Sequence, residues 1–176
     1  MNGKRNTPQH AELVGLIEAD RHLLVGARAM AVYVEQRFTE DTDYLVGHKT
    51  FQKIRRWFKQ QGVEHEDTGK AIRSTTLGLD IIDASNNPVL VEILKRENGV
   101  PSREALAVSK YVAMVSGTRQ QWKLHHDIAD FIRLVGLESF DVGRFLGYLV
   151  ERYEEQRAHA EELIGKILRG EGPIVI

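Results

Sequence analysis

The sequence contains no cysteine. Without thiols the chain can form neither disulfide bonds nor thiolate-ligated metal sites, so disulfide scaffolds and cysteine-based zinc modules are excluded. The absence is typical of a protein that works in a reducing compartment.

Long hydrophobic runs are also missing. No segment approaches the ~20 apolar residues that a membrane-spanning helix requires. The first ten residues, MNGKRNTPQH, lack the apolar core of a signal peptide. We therefore expect a cytoplasmic protein with no membrane partner.

Neither sign of charge dominates. The chain of 176 residues has 24 Lys plus Arg against 25 Asp plus Glu. This balance excludes a general polyanion binder, although a local basic patch stays compatible with it. Apolar residues make up 42% and charged residues 28%, which is typical of a globular protein.

The pattern of apolar residues changes near Pro101. Before it, short apolar runs alternate with helical patterns; after it, the pattern is helical almost to the end. We therefore predict an α/β lobe over residues 1–100 and a helical lobe over residues 101–176. Predicted helices cover about 8–20, 27–36 and 48–60, one starts at 88, and the last three cover about 102–115, 119–135 and 141–168. Predicted strands cover 22–26, 41–46 and a pair within 71–83, with a break near Gly78.

Two carboxylates stand one residue apart at a predicted strand start. In a strand, Asp41 and Asp43 point to the same face, so they can share a divalent cation. On the polar cluster alone, a solvated turn explains them equally simply. Asp80, flanked by apolar residues in LGLDIID, is a candidate third carboxylate, and Asp83 is its competitor.

A glycine precedes the carboxylate pair at the end of a predicted strand. Gly26 and Ala27 lie where a strand passes into a helix. A glycine there allows close approach of the backbone to a phosphate, and a helix N-terminus favours an anion.

The order of these features resembles the nucleotidyltransferase fold of the DNA polymerase β superfamily, and in particular the minimal nucleotidyltransferases related to abortive-infection toxins. The resemblance extends over roughly residues 22–136 and is carried by Gly26, Ala27, Ala29, Tyr33, Arg37, Thr39, Asp41 and Asp43, and then by Lys110, Asp127 and Asp130. It implies an α+β (α/β) fold, with a small mixed sheet, flanking helices and a C-terminal helical lobe.

The resemblance also implies a Mg²⁺ site for nucleotidyl transfer. It makes Asp41, Asp43 and Asp80 the metal ligands, with Asp80 as third ligand or as general base for the acceptor hydroxyl. It assigns the phosphates to Gly26 and Ala27, together with Arg28.

Three further residues have a functional and a structural interpretation each. Arg37 either binds the triphosphate or neutralises the acidic cluster. Lys110 either contacts the triphosphate or extends to the surface along an apolar helix. Asp127 either orients Lys110 and contacts the nucleotide, or forms a salt bridge to a nearby cation.

The partners implied by the resemblance are an NTP and an acceptor hydroxyl on a tRNA end or a protein side chain. It also implies that the chain is the toxin of a toxin–antitoxin pair, with an antitoxin as partner. Two residues depart from the family pattern: Ala27 stands for a Gly or Ser, and Thr42 for an apolar residue. They favour the alternative of a catalytically inactive nucleotidyltransferase fold that binds or regulates, and an unrelated α/β scaffold is a third interpretation.

Overall fold

The computed structural model describes residues 7–35, 39, 41–117, 120–150 and 153–171. Within it the chain divides into two compact units, Met1–Pro101 and Ser102–Ile176. The first unit contains a sheet with helices, whereas the described part of the second is helical.

The first unit is built on a five-stranded mixed sheet. Its strands are β1 (His22–Val25), β2 (Thr42–Val46), β3 (Glu66–Asp67), β4 (Ala71–Ser74) and β5 (Leu79–Asp83), in the spatial order β1-β2-β5-β4-β3. Only β2 and β5 are parallel neighbours; the other pairs are antiparallel. This sheet confirms the predicted α+β class.

Four helices accompany the sheet: α1 (Pro8–Glu18), α2 (Gly26–Met30), α3 (His48–Gln61) and α4 (Pro88–Arg96). Two of them begin with a capping residue followed by a proline. The Thr7 side chain accepts from His10 N at 3.1 Å, and the Asn87 side chain accepts from Val89 N at 2.9 Å. A 3₁₀ turn, Ala84–Asn86, separates β5 from α4.

The main core of this unit lies on one face of the sheet. Apolar side chains of α1 and α3 pack there against alternate residues of β4 and β5, such as Ile72, Leu79 and Ile81. Because strand side chains alternate between faces, Arg73 and Asp80 point to the opposite face. That face carries the charged cluster described below.

The second unit contains α5 (Arg103–Val115), α6 (Gln121–Val135), α7 (Val142–Tyr148) and α8 (Glu154–Leu168). Its centre is aromatic: the rings of Tyr111, Phe131 and Phe145 lie about 6 Å apart, with centroid distances of 5.9–6.0 Å. Ser102 caps α5 through a bond from Ala105 N.

Two helix predictions need correction. The helix predicted over 27–36 is the single turn α2, which ends at Met30. Its continuation contains Val32 and Val34, which lose side-chain freedom in a helix, and Val32 is 62% exposed and gains no burial. A one-turn helix has only a small dipole, which weakens the expected attraction for phosphate.

The helix predicted over 141–168 is two helices, α7 and α8. Leu149 leaves the helical conformation (φ −73°, ψ 102°) and is buried, and its carbonyl accepts a hydrogen bond from Arg157 at 2.9 Å. The short strand β3 was not predicted because its two residues are both acidic. Across the described residues, no helix combines the length and apolarity needed to cross a membrane.

Candidate active site

A row of charged side chains crosses the sheet at the amino ends of β2 and β5. Asp43 pairs in register with Asp80, Asp80 with Arg73, and Arg73 with Glu66. Register partners on neighbouring strands share a face of the sheet. The sheet therefore aligns two carboxylates, a guanidinium and a third carboxylate in one line.

Asp41 joins this row from the segment that enters β2. Thr42 N donates to Gly78 O at 2.9 Å, so the sheet pairing begins immediately after Asp41. The backbone oxygen of Asp41 accepts from Arg28 Nε at 3.0 Å and from Thr39 Oγ1 at 3.3 Å. Alternation along the extended chain puts Asp41 and Asp43 on the same face.

Gly26 lies directly against the Asp43 carboxylate. Its φ of +67° is in the left-handed region, and an added Cβ would lie 2.8 Å from Asp43 Cγ and closer still to Oδ2. Only glycine suits both the backbone conformation and the space. The neighbouring Ala27 is 6% exposed, so its methyl group belongs to the core.

Arg73 holds Asp80 through three hydrogen bonds. Arg73 Nε donates to both carboxylate oxygens at 3.0 and 2.9 Å, and Nη2 donates to Oδ2 at 2.8 Å. The hydrogen bonds and charge of Asp80 raise the pKa of Arg73, and the charges of Glu66 and Asp41 act in the same direction. The Asp80 side chain is 13% exposed and that of Arg73 47%.

The donor set fits a Mg²⁺ ion held by two carboxylates. Aligned like charges on neighbouring strands are unfavourable without a cation between them. Mg²⁺ is usually bound by one or two carboxylates together with substrate phosphates. Asp41 and Asp43 can supply the two carboxylates. Over the described residues, however, no three His, Asp or Glu side chains are grouped closely enough for a metal ion. Asp80 becomes a ligand only when Arg73 releases it.

Asp83, the competing third carboxylate, lies at the other end of β5 and on the opposite face from Asp80. Its side chain is 2% exposed and contacts His48 Nδ1 at 2.7 Å and Ser85 N at 2.9 Å. Burial opposes its ionisation, but the bonds from His48 and Ser85 outweigh burial and hold the pKa of Asp83 below its ordinary value. Asp83 is therefore not part of the charged row.

The predicted nucleotide contacts of the helical lobe belong to the second unit. Lys110, only 8% exposed, donates to Asp127 at 2.9 Å and contacts Asp130 at 2.8 Å. The surface interpretation of Lys110 is thus wrong, and the salt-bridge interpretation of Asp127 agrees with the structure. Arg37 lies outside the described residues.

Arg73 is the residue of this site that the sequence interpretation missed. A signal for it exists: with residues 75–78 as the loop between β4 and β5, counting outward from the loop pairs Ser74 with Leu79 and Arg73 with Asp80. Arg28 Nε donates to the Asp41 backbone oxygen, and its predicted contact with phosphate stays a prediction.

Comparisons with known proteins give only weak structural similarity. No family model matches the chain, and no curated protein matches it. Its structure is similar to the crystal structure of an antigenic nucleotidyltransferase-like protein from Paracoccidioides brasiliensis, with a TM-score of 0.42 and 14% sequence identity. The similarity covers 87% of this chain and 91% of that one.

Proposed function

We propose that the protein is a Mg²⁺-dependent nucleotidyltransferase that moves a nucleotide from an NTP to an acceptor hydroxyl. The observation that carries this proposal is the register of Asp43 with Asp80, with Asp41 on the same face and Gly26 against Asp43. Two carboxylates on one face at the start of a strand form a donor set of the kind that holds Mg²⁺ together with substrate phosphates.

Each residue of the cluster has a role that follows from its position. Asp41 and Asp43 would hold Mg²⁺, which when bound neutralises the triphosphate and lowers the pKa of the acceptor hydroxyl. Gly26 leaves the Asp43 carboxylate room to keep its orientation. Asp80 would accept the proton of the acceptor hydroxyl, whose oxygen bonds to the α-phosphorus as pyrophosphate leaves.

Arg73 is the residue on which the use of Asp80 depends. While its guanidinium is bonded to both oxygens of Asp80, those oxygens are not available to a metal ion or to an acceptor hydroxyl. A bound triphosphate offers the guanidinium an alternative anion of higher charge. We propose that Arg73 moves from Asp80 to the phosphates when the NTP binds.

The acceptor is the finer part of this proposal. A tRNA end or a protein side chain is supported only by the sequence resemblance, as is the role of toxin beside an antitoxin. Incubation of labelled NTP with total RNA and with cell extract would identify which polymer receives the label.

Thermal unfolding with each NTP, with and without Mg²⁺, tests the site. An NTP at 100 times its Kd should stabilise the wild type by about 2.7 kcal/mol, and only with Mg²⁺. Asp41→Asn/Asp43→Asn should abolish this stabilisation. Asp20→Asn/Asp67→Asn, which removes two carboxylates elsewhere in the same unit, should retain it. No shift in the wild type, or equal loss in both double variants, would contradict the proposal.

A second function is favoured by the Arg73–Asp80 bonds themselves. If Arg73 never leaves Asp80, the chain is a catalytically inactive nucleotidyltransferase fold that binds or regulates. Such a protein would show Mg²⁺-dependent stabilisation by an NTP but release no pyrophosphate in the presence of RNA or protein acceptors. Pyrophosphate release that is lost in Asp80→Asn would exclude it.

A further inference from the structure

A pocket lies at the opposite end of the parallel strand pair from the carboxylate cluster. It borders the carboxyl ends of β2 and β5, where Gly47 begins the connection to α3 and Ala84 the connection to α4. Open α/β sheets commonly bind ligands outside the carboxyl ends of their parallel strands. The pocket has a volume of about 430 Å³, within the usual range for small-molecule sites.

The two connections open a crevice because their helices pack differently. Buried residues of α3, such as Phe51 and Ile54, belong to the core cluster under one face of the sheet. The buried residues of α4, Val89, Ile93 and Leu94, do not belong to that cluster. The two helices therefore bury their apolar residues in different parts of the unit.

The described lining of the pocket combines apolar side chains with cationic ones. Ala84, Val91 and Leu94 form the apolar part. Arg21, Lys95 and His48 supply the cations and the titratable ring, and the described lining contains no acidic side chain. Each of these groups also has a partner within the protein: Lys95 Nζ lies 3.5 Å from Glu92 Oε2, His48 contacts Asp83, and Arg21 contacts backbone oxygens. The excess of cationic groups in the lining still favours an anionic ligand over a cationic one.

Two of the polar groups are held in place by the protein. Arg21 donates from Nη1 to the backbone oxygens of Leu94 at 3.3 Å and of Lys95, so its guanidinium is fixed beside the end of α4. The His48 ring contacts the buried Asp83 carboxylate through Nδ1 at 2.7 Å, which sets its orientation. A prepositioned guanidinium and imidazole lose little side-chain entropy when they bind an anion.

We propose that this pocket binds a small organic phosphate, a phosphate monoester with an apolar body. The phosphate would contact Arg21, His48 and Lys95, since three donors suit the three terminal oxygens of a dianion. The apolar body would lie against Ala84, Val91 and Leu94. This site shares no residue with the carboxylate cluster and does not depend on the proposed nucleotidyl transfer.

Nuclear magnetic resonance titration of the full chain with phenyl phosphate tests the proposal. We expect backbone amide shifts centred on Gly47, Ala84 and Ser85, with a Kd of about 1 mM or tighter. Inorganic phosphate should bind at least about tenfold more weakly, because it cannot use the apolar wall. Equal affinity for phenyl phosphate and inorganic phosphate would overturn the proposed contact between the apolar body of the ligand and the pocket.

Matched charge variants separate this site from general surface charge. Lys95→Glu and Ser85→Glu place a carboxylate at the lining, and each should weaken phenyl phosphate binding by at least about tenfold. Their neighbours Arg96→Glu and Asn86→Glu change the charge equally outside the described lining and should retain the affinity. These four side chains are exposed, so the variants should remain folded.

Two results would overturn the proposal. One is the absence of shifts at the pocket at about 10 mM phenyl phosphate. The other is an equal loss of affinity in Lys95→Glu and Arg96→Glu. Asp41→Asn/Asp43→Asn should bind phenyl phosphate like the wild type, so the result is independent of the carboxylate cluster.

Discussion

At the scale of single residues, the carboxylate cluster depends on one position with no side chain. Gly26 has a positive φ, and a Cβ added at this position would overlap the Asp43 carboxylate. A movement of Asp43 would relieve the overlap with a new side chain at position 26. It would not relieve the backbone strain, so any other residue is unfavourable there.

Gly26→Ala should therefore destabilise the protein. The left-handed conformation alone costs an alanine about 1–2 kcal/mol, and displacement of the Asp43 carboxylate adds to it. Gly15→Ala is the matched control: it lies exposed in α1 with no atom near its added Cβ, and it should stabilise by up to about 1 kcal/mol. Urea unfolding measures both. A Gly26→Ala protein as stable as the wild type would mean that Asp43 does not need this position.

Arg73 gives a second prediction at this scale. In Arg73→Gln no guanidinium competes for Asp80, so Mg²⁺ or Mn²⁺ alone should raise the melting temperature more than in the wild type. Without metal the variant should melt lower, since the Asp80 carboxylate then loses the guanidinium that is bonded to both of its oxygens.

Arg55→Gln is the matched control for Arg73→Gln. Arg55 also forms a bidentate pair, with Asp67 at 2.6 and 2.9 Å, but away from the charged row. Its response to divalent ions should equal that of the wild type. A smaller metal response in Arg73→Gln than in the wild type would show that Arg73 supports metal binding instead of competing with it.

At the scale of elements, the loop after β5 is tied to the start of α3 by one buried carboxylate. Asp83 accepts from Ser85 N and contacts the His48 ring. Because the pKa of Asp83 is below its ordinary value in the folded state, its contribution to stability is present above the unfolded pKa of about 3.9. That contribution is lost as the pH falls through the lower, folded pKa.

Asp83→Asn should thus lose stability at pH 7 and show a weaker pH dependence below about pH 4. The expected loss at pH 7 is about 1–3 kcal/mol, the cost of hydrogen bonds to a charged group. Urea unfolding at several pH values from 7 to 3 measures it. Asp20→Asn, an exposed carboxylate bonded to Lys53 and Thr50, is the control and should change stability much less at pH 7. Equal losses in the two variants would argue against a special role for Asp83.

At the scale of the whole molecule, the two units have cores of different kinds. The core cluster of the first unit is aliphatic and aromatic and is drawn from α1, α3 and the sheet. The second unit combines an aromatic centre with the buried ions Lys110, Asp127 and Asp130. Because Lys110 contacts both aspartates, removal of its charge affects two buried carboxylates at once.

Lys110→Met should destabilise the second unit by about 3–5 kcal/mol, because two buried carboxylates lose an ion-pair partner. Hydrogen exchange measured by mass spectrometry should show faster exchange in α5 and α6, with the amides of β2 and β5 near wild-type rates. Lys166→Met, which breaks an exposed pair with Glu162, is the control and should change neither region. Faster exchange across both units would indicate that they open together.

Features that depend on neighbours in the chain could be predicted from the sequence alone. The predicted helix starts at Pro8 and Pro88 agree with the structure, because proline suits the first helical position, where its missing N–H is not needed. The α+β class and the shared face of Asp41 and Asp43 followed from the periodicity of apolar residues and strands. What the sequence determined was local order.

Only the tertiary structure decided which distant side chains meet. The opposition of Asp43 and Asp80 depends on the register of a parallel pair joined by a long connection, which no local preference sets. The contact of Lys110 with two residues of α6 likewise depends on how α5 and α6 pack. The break at Leu149 also arises from burial, which overrides helix propensity where an apolar side chain gains more area elsewhere.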